Sequence, residues 1–188
     1  GACVACPGRS GEGAWSVRVG LAGCDVGGII GFDLGNYPAG TGLLSLPAGG
    51  SRQPASAETI ASREHFIRMN GGEVFKFATR IIVSSAREVL GKHGFTVDDV
   101  DLFIPHQANI RIIDAAARKL GVPQGKVFTN LESYGNTSCA SIPLCLDEAV
   151  AAGRINSGDL MLMVGFGAGL TWGSCLARAG EIRKIQET

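Results

Sequence analysis

From residue 71 to residue 178 the apolar residues keep switching between two periods, and this constrains the fold more than any other feature. Residues 71–93 have helical spacing: Val74, Ala78, Ile81, Ser85 and Val89 fall on one face, and Gly94 is a stop. Residues 100–105 are a short apolar run of strand type. Residues 109–120 return to the helical period, with Ile110, Ile113, Ala117 and Leu120 inward and Gly121 as the stop. Residues 127–129 read as a short strand. Residues 141–152 read as a third helix, with Pro143 tolerated in its first turn. Residues 159–166 and 170–178 read as two further strands about the turn 167–169. Upstream, Trp15, Val17, Val19 and Leu21 alternate with Ser16, Arg18 and Gly20, so residues 14–22 read as a strand. Residues 23–28 supply a turn and residues 28–34 a second strand. The order β-β-loop-α-β-α-β-α-β-β predicts an α/β fold: a mixed β-sheet covered by helices.

Two stretches stand apart. Residues 1–12 have no clear periodicity. Residues 35–64 are rich in Gly, Pro and Ser, and read either as a functional lid or partner contact or as a linker.

With 188 residues, one domain is expected. Lys plus Arg and Asp plus Glu both number 17, so the net charge is zero. Nucleic acid is therefore not an expected partner, because phosphate binding needs a basic excess. Apolar residues are 45% and charged residues 18%, which argues against disorder. So few charges also imply that another chain, or more of the same protein, covers much of the surface. The longest apolar run, residues 160–170, is about half of the roughly 20 residues a membrane span needs, so no membrane partner is expected. Residues 1–15 lack the basic-then-apolar pattern of a secretory leader. Six cysteines lie scattered at 3, 6, 24, 139, 145 and 175, which fits buried thiols in a reducing compartment better than disulfides. Cys3 and Cys6 form a lone CxxC without a second pair or a close histidine, so no metal site is expected.

Three loops carry residues suited to chemistry. Pro105-His106-Gln107-Ala108-Asn109 joins a strand to a helix, and open α/β sheets place ligands beyond the carboxyl ends of their strands. A histidine there either donates to a developing oxyanion or caps the next helix. Tyr134-Gly135-Asn136-Thr137-Ser138 offers an amide donor with no titratable proton, suited to an enolate or oxyanion. The other reading is a plain Gly-Asn turn. Residues 165–173 put Gly165, Gly167 and Gly169 after a strand. The dinucleotide fingerprint needs a helix next, and a strand follows, so a nucleotide is excluded. A tight turn with exposed backbone N–H groups, or an ordinary hairpin, remains.

In this order and spacing, His106 to Asn109, Tyr134 to Ser138 and Gly165 to Ser174 resemble the β-ketoacyl-acyl-carrier-protein synthase III family. These are thiolase-fold condensing enzymes that start type II fatty acid synthesis. Met69 to Lys76 and Leu146 to Ala149 are similar to the same family, and so is the Gly11-Glu12-Gly13-Ala14 turn, although Trp15 stands where the family has a small residue. The resemblance runs from about residue 11 to 179 and covers the C-terminal half of the family's chain. It implies a thiolase-like half-domain over 13–180, an irregular segment at 1–12 and a tail at 181–188.

The resemblance also implies roles. His106 and Asn136 would bind the thioester carbonyl of malonyl-acyl-carrier protein, so that decarboxylation leaves a stabilised enolate. Ala168 would supply a second oxyanion hole from its backbone N–H, and Phe166 would stand beside the nucleophile. Asn109, Gly71 and Phe75 would line the pantetheine tunnel. Arg111 and Arg118 would receive the carrier protein or coenzyme A phosphates, or else are a solvated helix face. The family's nucleophilic cysteine belongs to its N-terminal half and matches none of the six here. Cys139 and Cys145 read as packing residues. The implied reaction is decarboxylative Claisen condensation of an acyl-coenzyme A with malonyl-acyl-carrier protein, with no cofactor, in a homodimer of the cytoplasm or, for a plant protein, the plastid stroma. A non-catalytic partner subunit, or a related polyketide or quinolone synthase, would carry the same motifs.

Overall fold

The computed structural model describes residues 2–5, 18–21 and 27–181, the first two segments as paired backbone strands only. In chain order the elements are β1 (Ala2–Ala5), β2 (Arg18–Leu21), β3 (Gly28–Asn36), β4 (Leu44–Ser45), α1 (Ala57–Ala61), β5 (Arg68–Met69), α2 (Gly71–Lys92), β6 (Leu102–Pro105), α3 (Ile110–Leu120), α4 (Leu131–Tyr134), α5 (Ser141–Ala151), β7 (Leu160–Gly167) and β8 (Thr171–Arg178). The central sheet has the order β3-β8-β7-β6. β6 and β7 are parallel, while β8 runs antiparallel to both β7 and β3. The sheet is therefore mixed, as the alternation of periods requires.

One face of the sheet packs on α2 and α3. Ala78, Ile82, Ala86 and Val89 of α2 meet Ile113, Ala116 and Leu120 of α3 and Phe103, Leu162, Val164 and Leu176 of the strands, all buried. On the other face α5 brings Cys145 and Ala149 onto Leu102 and Ile104, with Met161 and Met163 beside them. The helix ends are written locally. Asn70 accepts a hydrogen bond from the Glu73 N–H at 3.2 Å and starts α2. Asn109 accepts from the Arg111 N–H at 2.9 Å and starts α3. Gly121, at φ 92°, ends α3 in the left-handed conformation that a side chain would strain.

All five residues assigned to the inner face of α2 are buried or nearly so. For α3 the stripe is Ile112, Ile113, Ala116, Ala117 and Leu120, and Ile110 is 43% exposed. It is the first residue of α3, next to the exposed Asn109 cap. Residues 127–129 are not a strand of their own. A single parallel bridge joins Val127 to Phe103, and beyond it the Asn130 N–H turns to the Gln107 side chain. Cys145 is buried, as a packing residue should be, but Cys139 is exposed. Residues 35–64 are more ordered than their composition suggests. They hold a 3-10 turn over Pro38–Leu43, β4, which pairs with β5 just beyond them, and α1 with a reciprocal cap between Ser56 and Thr59. In the stretch read as irregular, β1 pairs antiparallel with β2. The rest of the strand read over 14–22, the start of the turn 23–28, the Gly11 to Trp15 motif and Cys6 and Cys24 lie outside the described residues.

Candidate active site

His106 follows the last residue of β6, and its N–H continues the ladder by donating to the Val164 carbonyl at 2.8 Å. That bond fixes the backbone. Two neighbours then hold the ring. Phe166 of β7 meets it edge to face, with centroids 5.4 Å apart. On the far side of the loop, Ser141 Oγ lies 2.6 Å from Nδ1. Burial pushes the imidazole below the ordinary histidine range, so its neutral form is favoured. Nε2 makes no hydrogen bond to any described residue and is not among the buried side-chain atoms left without one. It is open to a ligand.

Asn136 lies between α4 and α5, five residues before Ser141. Its Oδ1 accepts the Ser138 N–H at 2.9 Å. A backbone N–H can only meet the amide oxygen, so the amide NH₂ is the free end. Asn136 is exposed, and its neighbour Thr137 holds the one buried side-chain oxygen without a partner among the described residues. Ala168 is exposed at the β7–β8 turn. Its carbonyl accepts from Thr171 Oγ1 at 3.1 Å, and the turn's hydrogen bonds leave its N–H without an acceptor.

The remaining assigned residues sit where α2 and α3 begin. Gly71 opens α2, and Phe75 one turn on packs against the core. The Arg111 guanidinium lies over the Phe75 ring, 6.0 Å from its centroid. Asn109, the α3 cap, is exposed beside it. Arg118 is exposed about 10 Å further along the same helix, from the rise of 1.5 Å per residue, in a groove with Asp114, Val122 and Gln124. So the structure joins His106 to Phe166 and Phe75 to Arg111, and sets Arg118 apart.

Sequence reasoning missed the frame behind His106. Gln107 is fully buried; its Nε2 donates to the Pro105 carbonyl at 2.8 Å and its Oε1 accepts the Asn130 N–H at 3.2 Å. Asn130 Nδ2 donates to Glu148 at 3.0 Å, and the Tyr134 hydroxyl donates to the same carboxylate at 2.5 Å. The Asn136 loop is thus tied to α5, and α5 to the His106 loop. The buried polar identities of Gln107 and Asn130 were the only signal in the sequence, and neither sits in a periodic pattern.

Neither Cys145 nor Cys175 is an activated thiol. Burial, with the Glu148 charge behind it, pushes Cys145 up to about 12, and burial raises Cys175. Among the described residues no cluster of His, Cys, Asp or Glu could hold a metal ion, and no helix is long and apolar enough to cross a membrane.

A sequence profile of the 3-oxoacyl-[acyl-carrier-protein] synthase III C-terminal region matches residues 90–179. The chain is 56% identical over 151 residues to a β-ketoacyl-[acyl-carrier-protein] synthase III of Desulfitobacterium hafniense, covering 80% of this chain and 46% of that one. It superposes on the synthase III of Thermus thermophilus with a TM-score of 0.75 at 42% identity, over 87% of this chain and 50% of that one. The priming β-ketosynthase of the R1128 polyketide pathway is similar at TM-score 0.72 and 36% identity, over 87% and 48%. The chain spans about half the length of the curated relatives it matches. By fold, motif order and identity it belongs to the β-ketoacyl-[acyl-carrier-protein] synthase III family and corresponds to its C-terminal part.

Proposed function

We propose that this chain holds the malonyl half-reaction of a decarboxylative Claisen condensation. The observation that carries it is a clamped His106, its neutral form favoured and its Nε2 open, together with Asn136, five residues before the clamping Ser141, whose oxygen is occupied and whose NH₂ is free. Two neutral donors suit a thioester carbonyl that must gain negative charge. As the bond to the carboxylate carbon breaks, its electron pair moves onto the thioester oxygen and carbon dioxide leaves. His106 and Asn136 stabilise that enolate. The enolate carbon then attacks an acyl group held as a cysteine thioester, a C–C bond forms, and the cysteine thiolate departs. The Ala168 N–H is the donor for the oxyanion of that second carbonyl, and Phe166 lines its approach.

Cys145 and Cys175 are unsuited to carry the acyl group, and none of the six cysteines matches the family's nucleophile, so we assign that role to the further half that the relatives possess. Asn109, Gly71 and Phe75 are assigned to the pantetheine arm, and Arg111 and Arg118 to the acidic carrier protein or the coenzyme A phosphates. A cytoplasmic homodimer using acyl-coenzyme A and malonyl-acyl-carrier protein, without a metal or redox cofactor, goes with this reading.

The test is decarboxylation of a malonyl thioester by the 188-residue chain. Slow release of carbon dioxide, lost in His106→Ala and in Asn136→Ala, with no condensation product, is expected. Equal release by the wild type and both variants overturns the assignment. Condensation that depends on one of the chain's own cysteines would overturn the division into halves.

A further inference from the structure

We infer that Ser141 is a positioning residue that holds His106 with its proton on Nε2, so that the ring presents a donor to the substrate side. Its purpose rests on the functional reading above; its geometry does not. Ser141 is buried at the first position of α5. Its Oγ lies 2.6 Å from His106 Nδ1 and 3.3 Å from the Gln107 backbone nitrogen. A backbone N–H only donates, so Oγ accepts there. No other described group accepts from the Ser141 hydroxyl. Its single proton therefore goes to the Nδ1 lone pair, and the ring proton goes to Nε2.

The opposite tautomer is worse by a definite count. With the proton on Nδ1, Oγ would receive two donors while its own buried proton had no acceptor. The penalty for a buried unsatisfied group corresponds to a bias on the order of tenfold to a hundredfold. Nε2 would then be a bare acceptor, repelling a carbonyl oxygen that gains charge. The frame makes the choice rigid. Gln107 is locked between the Pro105 carbonyl and the Asn130 N–H, so its backbone N–H keeps one Oγ lone pair occupied. Phe166 stops the ring from turning away.

The test is direct. The 188-residue chain is labelled with ¹⁵N-histidine, and long-range proton–nitrogen correlations are recorded above the ordinary histidine pKa. The chain has three histidines, and His106→Gln assigns the relevant signals. An unprotonated, pyridine-type Nδ1 with a protonated, pyrrole-type Nε2 is expected; the reverse pattern overturns the inference. Ser141→Ala should give a mixture of tautomers, and Ser141→Thr, which keeps the hydroxyl, should restore the wild-type pattern. An unchanged Nε2–H pattern in folded Ser141→Ala also overturns it. Should Ser141→Ala fail to fold, the wild-type and Ser141→Thr spectra decide. In malonyl thioester decarboxylation, Ser141→Ala should lose about tenfold or more in kcat with little change in KM. The two readings fail separately. An inactive wild type with the Nε2–H signature sinks the functional reading alone, and an active one with the Nδ1–H signature sinks the tautomer assignment alone.

Discussion

On the face of the sheet toward α2 and α3, Phe103, Leu162, Val164 and Leu176 are completely covered. On the opposite face, α5 covers β6 and β7, but Ile29, Phe32 and Leu34 of β3 are 54%, 61% and 71% exposed. The same strand serves both sides. A register shift between Ile29 and Gly31 turns Ile30 and Gly31 inward together, which keeps Ile29 and Phe32 on one face despite their odd spacing. Gly31 must then lack a side chain, because a Cβ would stand 1.9 Å from the His93 ring. Equal hydrophobicity on the two faces has unequal cover. Burial, not composition, separates the residues that hold this chain together from those left open on its surface.

The largest expected effect tests the covered face. Phe103→Ala should cost about 3–5 kcal/mol in urea unfolding, while Phe32→Ala should stay within about 0.5 kcal/mol. Comparable losses at both positions would break the contrast. Next is the polar link between α2 and the inner face. The Ser85 hydroxyl donates to Asp33 at 2.8 Å and lies 2.8 Å from Ser174 Oγ, and Lys92 reaches Asp33 at 3.0 Å. Ser85→Ala should cost about 1–3 kcal/mol, because a largely buried carboxylate loses a donor.

The same link has a pH signature. Burial pushes Asp33 up, but the hydrogen bonds from Lys92 and Ser85 and the Lys92 charge outweigh it and hold the carboxyl below its ordinary value. A depressed folded pKa gives stability that is full above the unfolded value and is lost as pH falls through the folded one. Unfolding midpoints should therefore drop below about pH 4, and less so in Asp33→Asn. A pH-independent midpoint there would deny the link its weight.

On the open face, concentration-dependent self-association is expected by light scattering. Phe32→Ser with Leu34→Ser should reduce it and leave the unfolding midpoint nearly unchanged. A monomer at all concentrations would remove the distinction between the faces. The smallest effect is at the surface of α2. Lys76 and Glu73 pair at 2.8 Å but are well exposed, so Glu73→Gln should change stability by less than about 0.5 kcal/mol.

Much of the fold was legible because period reports the face of an element. Val74 to Val89 named the buried side of α2, and Asn109 and Gly121 bracket α3 with the chemistry its ends require. The His106 loop and the Gly167–Gly169 turn were legible from their residue types and their places after strands, and the Asn136 loop from its residue types alone, since it follows α4. Residues 127–129 were not, since their extended conformation comes from Phe103 and Gln107, far away in the chain. Ile110 was misplaced because its helical phase matches the core while its place, the first residue of α3 beside the exposed Asn109 cap, leaves it open.

By itself the sequence determined the long helices α2, α3 and α5, the strands β3, β6, β7 and β8, and the candidate residues His106, Asn136 and the Gly167–Gly169 turn. These depend on neighbours a few residues apart. Only the tertiary structure decided which face of β3 stays open, and that Ser141 meets His106 across 35 positions of chain. A hydroxyl at a helix start has no periodicity and no motif. Its partner is chosen by how α5 packs on β6 and β7, and no local preference encodes that contact.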